Sequence, residues 1–323
     1  MKERWRLIIT AILFIPLAGF AQQKDTLINK LDSLNKKTDS VGKQINNINP
    51  AFYNESTKIT FRSYFILLAS DLKQEFTKPL HMTRKDWGNL GKFAIVFVPV
   101  AFADETVQKN SVRLMRNKPA LQNISKYITR FGAAYERYTL ATLAAYGLIF
   151  KKPKMVNTTL LATQAYLTGS ALEGTMKLLT RRTRPTYYAR DVEAEPRFLG
   201  PFAKIGKDEN GKRRYSSFPS GHTTIAFATA TVFAKEYKDK IIVPVIAYSA
   251  ATLIGLSRIT ENKHWATDVL TGAAIGFMAG KNVVNNYHRY AKLKASEKNK
   301  NTLSLNLQYF NKQIIPGIIY KFK

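Results

Sequence analysis

The chain has 323 residues, enough to bury one large core or two, and its 50 Lys and Arg against 22 Asp and Glu give a formal charge of +28. Such a field attracts nucleic acid, anionic lipid or phosphorylated substrates without choosing among them. With no cysteine, disulfides, thiolate metal sites and cysteine nucleophiles are excluded, and an oxidising compartment is tolerated.

Residues 1–21 have a basic start (Lys2, Arg4, Arg6), a short apolar stretch and small residues at Gly19 and Ala21. This is the pattern of a secretory signal peptide, with an uncleaved anchor helix as the alternative. Either way the chain is addressed to the cell envelope, so no nucleic-acid partner is expected. Residues 22–60 form an amphipathic heptad segment, with Leu27, Leu31, Leu34, Thr38, Val41, Ile45 and Ile48 at alternating spacings of four and three. It is expected to lie on the main domain or the membrane, or to pair with a second copy in a homo-oligomer. Residues 61–89 read as a connecting segment.

Between residues 90 and 285, six apolar stretches alternate with basic connectors: 93–103, 138–150, 155–172, 223–234, 241–257 and 269–280. The expected fold class is all-α, a six-helix bundle flanked by the N-terminal amphipathic helix and a short β-like C-terminal tail. Several stretches are shorter than the roughly 20 residues of a membrane span, which also suits a soluble bundle. Small residues at Gly272, Gly276 and Gly280, and at Ala162, Ala165 and Gly169, favour close helix packing in a bilayer, so the bundle is expected to be membrane-embedded. Residues 286–302 read as a linker rich in Lys and Asn. In 303–323, two alternating runs around Pro316-Gly317 suggest strand, turn and strand.

Three polar clusters interrupt this apolar pattern. The first, Lys177 to Pro185, places Lys177 and Arg184 seven residues apart, on one face of a helix that Pro185 should end at Arg184. An ammonium and a guanidinium fork there suit phosphate oxygens, although alone they read as a solvated basic helix end. The facing of Arg181 and Arg182 is open. The second, Pro219-Ser220-Gly221-His222, has the grammar of an anion-binding helix start: Ser220 can cap, Gly221 admits close approach, and free N–H groups favour phosphate. His222 beside it can give or take a proton. The third combines Arg258 with His264 and Asp268, four apart, so that the carboxylate can orient the imidazole.

In an up-and-down bundle the end of the third helix, the start of the fourth, the end of the fifth and the start of the sixth share one side. All three clusters therefore meet. Glu173, one turn before Lys177, reads as its ion-pair partner. Trp265 is expected either to wall the site or to anchor at the lipid interface, and His81 and His288 to have packing or solvated roles.

Together the clusters resemble the signature of the type 2 phosphatidic acid phosphatase superfamily, which includes class A bacterial acid phosphatases and vanadium haloperoxidases. Its pattern, K-x6-R-P, P-S-G-H and S-R-x5-H-x3-D, is matched at every position, and the similarity covers about residues 90–285. The resemblance implies that Lys177, Arg184 and Arg258 hold phosphate oxygens with Ser220 and Gly221. His264 would attack phosphorus, Asp268 would orient it and His222 would protonate the leaving group. No metal or cofactor is implied.

The function expected on this basis is metal-independent hydrolysis of a lipid phosphate or lipid diphosphate through a phosphohistidine, in the inner membrane with the site facing the periplasm. The alternatives are a soluble envelope acid phosphatase, a vanadium haloperoxidase, or a non-catalytic lipid-binding or scaffold protein. Helix order and a cleaved signal would instead put the clusters on the cytoplasmic side, which leaves orientation open.

Overall fold

The computed structural model describes residues 28–31, 57–132, 134–188, 194–203, 216–298, 302–310 and 313–321. The signal peptide and most of the heptad segment lie outside the described residues. Within that segment, residues 28–31 form a helical turn, and Leu31 is fully buried in the main core.

Among the described residues, eight α-helices lie between residues 61 and 298: α1 (Phe61–Thr77), α2 (Arg84–Asn117), α3 (Pro119–Phe131), α4 (Ala134–Ile149), α5 (Pro153–Thr180), α6 (Gly221–Glu236), α7 (Ile242–Thr260) and α8 (Ala266–Lys298). The six apolar stretches fall within α2, α4, α5, α6, α7 and α8. A six-helix count is therefore too small, because the sequence pattern leaves out α1 and α3. The stretch expected as a connector begins with α1, whose buried Leu67 joins the core. Reciprocal capping starts both α1 and α2: the Thr60 and Thr83 hydroxyls accept backbone N–H bonds from Ser63 and Asp86, whose side chains bond back to the cap.

α6 is the central helix, packed against α5, α7 and α8. Its Ala and Thr residues are buried on nearly every side, as a helix surrounded by others requires. The glycine stripe of α8 explains how close the neighbours come. A Cβ at Gly276 would run into the Thr224 carbonyl of α6, and one at Gly280 into that of Ala228. On α5, Gly169 faces Thr224 and Ala228. The core joins Leu161, Ala162 and Ala165 of α5, Ala228 and Val232 of α6, and Val283, Val284 and Tyr287 of α8.

α8 continues to Lys298, so residues 286–298 of the expected linker are helical and carry the core residues Tyr287 and Tyr290. Beyond it, β1 (Thr302–Phe310) and β2 (Gln313–Lys321) pair antiparallel, with Thr302 opposite Lys321 and Phe310 opposite Gln313. Two strands are the pattern read from the sequence, but the turn expected at Pro316-Gly317 is not there: both residues lie inside β2, opposite Leu307 and Asn306. Among the described residues, α7 alone is both long and apolar enough to cross a membrane. Exposed apolar side chains continue onto other helices, including Ile95 and Phe102 of α2, Leu148 and Ile149 of α4, and Ile246, Leu253 and Leu256 of α7.

Candidate active site

The end of α5, the start of α6, the end of α7 and the start of α8 meet, as helix order predicts. The route taken by the first cluster differs from the one expected. α5 stops at Thr180, and Arg181 turns the chain with a left-handed backbone (φ 42°), its N–H bonded to the Lys177 carbonyl. Residues 182–184 then leave the helix: Arg182 bridges to Phe198, and Arg184 is extended before Pro185. Lys177 and Arg184 thus do not share a helix face. They converge because the chain bends back over the helix end. Arg184 is steadied by Ser216, donating from Nη2 to its carbonyl at 3.1 Å and from Nε to its hydroxyl at 3.3 Å.

Ser220 occupies the N-cap position of α6, yet its side chain makes no cap; its hydroxyl accepts from Thr223 Oγ1 at 2.9 Å. The expected capping role is therefore corrected. Its backbone N–H donates to the Asp268 carbonyl at 3.0 Å, which ties the start of α6 to α8. At Gly221 a Cβ would meet the Glu173 carboxylate and approach Lys177 Nζ, so the Glu173–Lys177 pair would have to shift. Glu173 pairs with Lys177, as its i,i+4 spacing suggests, and Glu261 pairs with Arg258 at 3.2 Å.

His264 lies in the α7–α8 turn, which closes through a left-handed Asn262 (φ 57°) and brings the His264 N–H to the Arg258 carbonyl. Its Nδ1 faces Asp268 Oδ2 at 3.4 Å. Asp268 is the third residue of α8 and accepts the Trp265 backbone N–H at 2.9 Å, half of a capping box. The same carboxylate accepts from Ser217 Oγ at 2.5 Å and Arg182 Nη1 at 2.6 Å.

Arg182 donates onward, from Nη1 to Thr267 Oγ1 at 2.6 Å and from Nη2 to Asp104 Oδ2 of α2 at 2.7 Å. Its guanidinium stacks 4.6 Å from the Phe198 ring centroid, with Trp265 and Phe218 also close. Trp265 is fully buried and donates Nε1–H to the Thr183 carbonyl at 2.8 Å, so it walls the site from within. His81 is exposed, and His288 pairs with Glu236 at 2.8 Å.

Electrostatics confirm that the clusters share one space. Burial holds the His264 imidazole well below its ordinary pKa, reinforced by the charges of Arg184, Lys177 and Arg258. Burial, then Arg258, Lys177 and Arg184, pull His222 down to about 3. Three cations, Lys177 and Arg184 from the end of α5 and the chain beyond it and Arg258 from the end of α7, therefore act on the same two imidazoles. Such a place stabilises an anion carrying two or more charges and keeps both rings neutral until one arrives.

A helical bundle that gathers three cations and two histidines at its helix ends offers a place suited to a phosphate group. Within the chain, residues 158–291 match the family model of the PAP2 superfamily. The lipid A 1-phosphatase of Porphyromonas gingivalis is 43% identical over 88 residues, which are 25% of this chain and 20% of that relative. Phosphatidylglycerophosphatase B of Bacillus subtilis is 27% identical over 187 residues, 55% of this chain and 80% of the relative. The chain thus spans only a fifth of the first relative's length. Among solved structures, a transmembrane PAP2-type phosphatidylglycerolphosphate phosphatase from Bacillus subtilis covers 65% of this chain and 96% of its own at 24% identity and a TM-score of 0.41.

Proposed function

We propose that the protein is a metal-independent phosphatase of the cell envelope that hydrolyses a lipid phosphate or lipid diphosphate through a phosphohistidine. The observation that carries the reading is the convergence of Lys177, Arg184 and Arg258 on His222 and His264. With Nδ1–H directed at Asp268, His264 Nε2 has its lone pair available to attack phosphorus. The P–N bond forms as the P–O bond to the lipid breaks, and His222 gives its proton to the departing oxygen. Water then attacks the phosphohistidine, His222 takes a proton from it, and phosphate leaves. Lys177, Arg184 and Arg258, with the backbone at Ser220 and Gly221, balance the charge that builds on the phosphoryl oxygens.

The low proton affinity of His222 fits this sequence of steps. An arriving phosphate dianion offsets the three cations, so the ring gains its proton when there is a leaving group to protonate. The apolar belt on α2, α4 and α7 supports a membrane setting; the inner membrane, with the site on the periplasmic side, completes the proposal. The names of the two relatives make lipid A 1-phosphate and phosphatidylglycerophosphate the first substrates to offer.

The test is purified full-length protein in detergent with chelator, given those two lipids, phosphatidate and a polyprenyl diphosphate. Phosphate release by wild type and its loss in His264→Ala are expected. Equal release by both would remove His264 as nucleophile, and no release from any lipid would sink the function. Orientation is read separately from a cysteine at Ala203, in a chain that has none of its own. An impermeant thiol reagent should label it in intact cells, and protection there would place the site in the cytoplasm.

A further inference from the structure

Behind the proposed nucleophile lies a second charged cluster that the cradle does not use. Asp104 comes from α2, Arg182 from the stretch after α5, and Thr267 and Asp268 from α8. Asp104 and Asp268 have no exposed surface and Arg182 is 3% exposed. Besides the two ion pairs to Arg182, Asp104 accepts the Thr267 N–H at 3.0 Å and the Thr267 hydroxyl at 2.5 Å. Asp104 lies outside residues 158–291, the part that matches the PAP2 family.

A buried ion triad is a poor means of gaining stability, because desolvation of its members offsets their attraction. Its stoichiometry makes sense for chemistry. A carboxylate with no solvent and no cation beside it takes up a proton, and a neutral Asp268 would lose its hold on the imidazole. A lone arginine would keep Asp268 ionised but cancel its charge. Asp104 on the other side of the guanidinium restores one net negative charge next to His264, where positive charge develops as the ring attacks.

We propose that Arg182 and Asp104 are positioning residues: Asp104 fixes Arg182, Arg182 holds Asp268 as an anion, and Asp268 presents His264 with Nδ1 protonated and Nε2 free. The kinetic part of this rests on the phosphatase reading above. The groups acting on Asp268 are Arg182, Ser217 and the Trp265 N–H, His264 in its own turn, and Lys177 and Arg184 at longer range. In Arg182→Gln the Ser217 hydroxyl, the Trp265 N–H and the two distant cations still oppose burial but the adjacent guanidinium is gone, so Asp268 protonates at higher pH than in wild type. The acid limb of the kcat profile should then move to higher pH.

The experiment compares full-length wild type, Asp104→Asn, Arg182→Lys and Arg182→Gln in detergent. It reads kcat and KM across pH, melting temperature, and the 15N signals of the four histidines. Asp104→Asn and Arg182→Gln should lower kcat about 10- to 100-fold, the range for residues that orient an active-site ligand, with KM unchanged. Arg182→Lys should recover part of the loss, and the His264 signals in the other two variants should show a changed tautomer or pKa. Wild-type kcat in these variants, or losses that follow melting temperature with an unmoved pH profile, would overturn the proposal. If wild type hydrolyses no lipid, the phosphatase reading fails by itself. The His264 signals then decide the relay, and unchanged signals in Asp104→Asn and Arg182→Gln refute it.

Discussion

The bundle buries polar groups at both ends, and only one end is built to receive an anion. At the far end Asn286 donates to Asp71 at 2.9 Å, Gln74 donates to Asn286 and Ser70, Asn157 donates to the Tyr287 hydroxyl, and that hydroxyl donates to the Thr57 carbonyl. Amides and hydroxyls there meet acceptors from neighbouring elements, so the network joins α1, α5 and α8. At the other end three cations surround two neutral imidazoles beside a helix N-terminus. Burial of polar groups alone does not mark a site. An excess of one charge, held where backbone N–H groups also point, does.

Substitutions at the two ends should separate these properties. The largest effect is expected for Lys177→Met, which removes one charge from the cradle and should lower turnover of lipid phosphate about 10²–10³-fold, as loss of one transition-state donor does. A fall of less than about tenfold would mean that the two arginines suffice. Next, Asn286→Ala leaves Asp71 without its donor and should destabilise the protein by about 1–3 kcal/mol, seen as a lower melting temperature. Turnover per folded molecule should not change, and a loss like that of Lys177→Met would erase the distinction between the ends.

Smaller effects concern protons. Inorganic phosphate should bind with uptake of up to one proton near neutral pH, measured calorimetrically in buffers of different ionisation enthalpy, because the anion raises the depressed His222. Release of a proton would contradict that assignment. Both site imidazoles have folded pKa values below the ordinary value of about 6.5, so the unfolded chain protonates first. Their contribution to stability is complete above that pH and is lost as pH falls below it, for His222 down to about 3. Melting curves of His222→Gln should show less acid sensitivity than wild type.

The cradle was largely legible in the sequence because its residues sit at helix ends, where chain order alone decides which side they occupy. The residues behind it were not. Arg182 is one of several basic residues in a short run, and nothing in their spacing tells that Arg181 takes a left-handed turn and sends Arg182 inward. Its partners lie 78 and 86 positions away, beyond any local period. The capping role of Asp268 could have been found, since an acidic residue three positions into a helix is a known signal. α3 escapes the apolar pattern because Lys126 and Arg130 interrupt it. α8 was cut short because a Lys- and Asn-rich stretch can still turn one apolar face, here Tyr287 and Tyr290, toward the core.

Glu173 and Glu261 give the site a further property. Each lies against a cradle cation, Glu173 on Lys177 and Glu261 on Arg258, so two of the three positive groups already have an anionic neighbour. Three cations crowded together without counter-charge would repel one another and strain the helix ends they sit on. With two carboxylates in place, part of the cradle's positive charge is balanced by the protein's own side chains. Substrate capture then becomes an exchange of anions, in which a doubly charged phosphoryl group competes with two singly charged side chains.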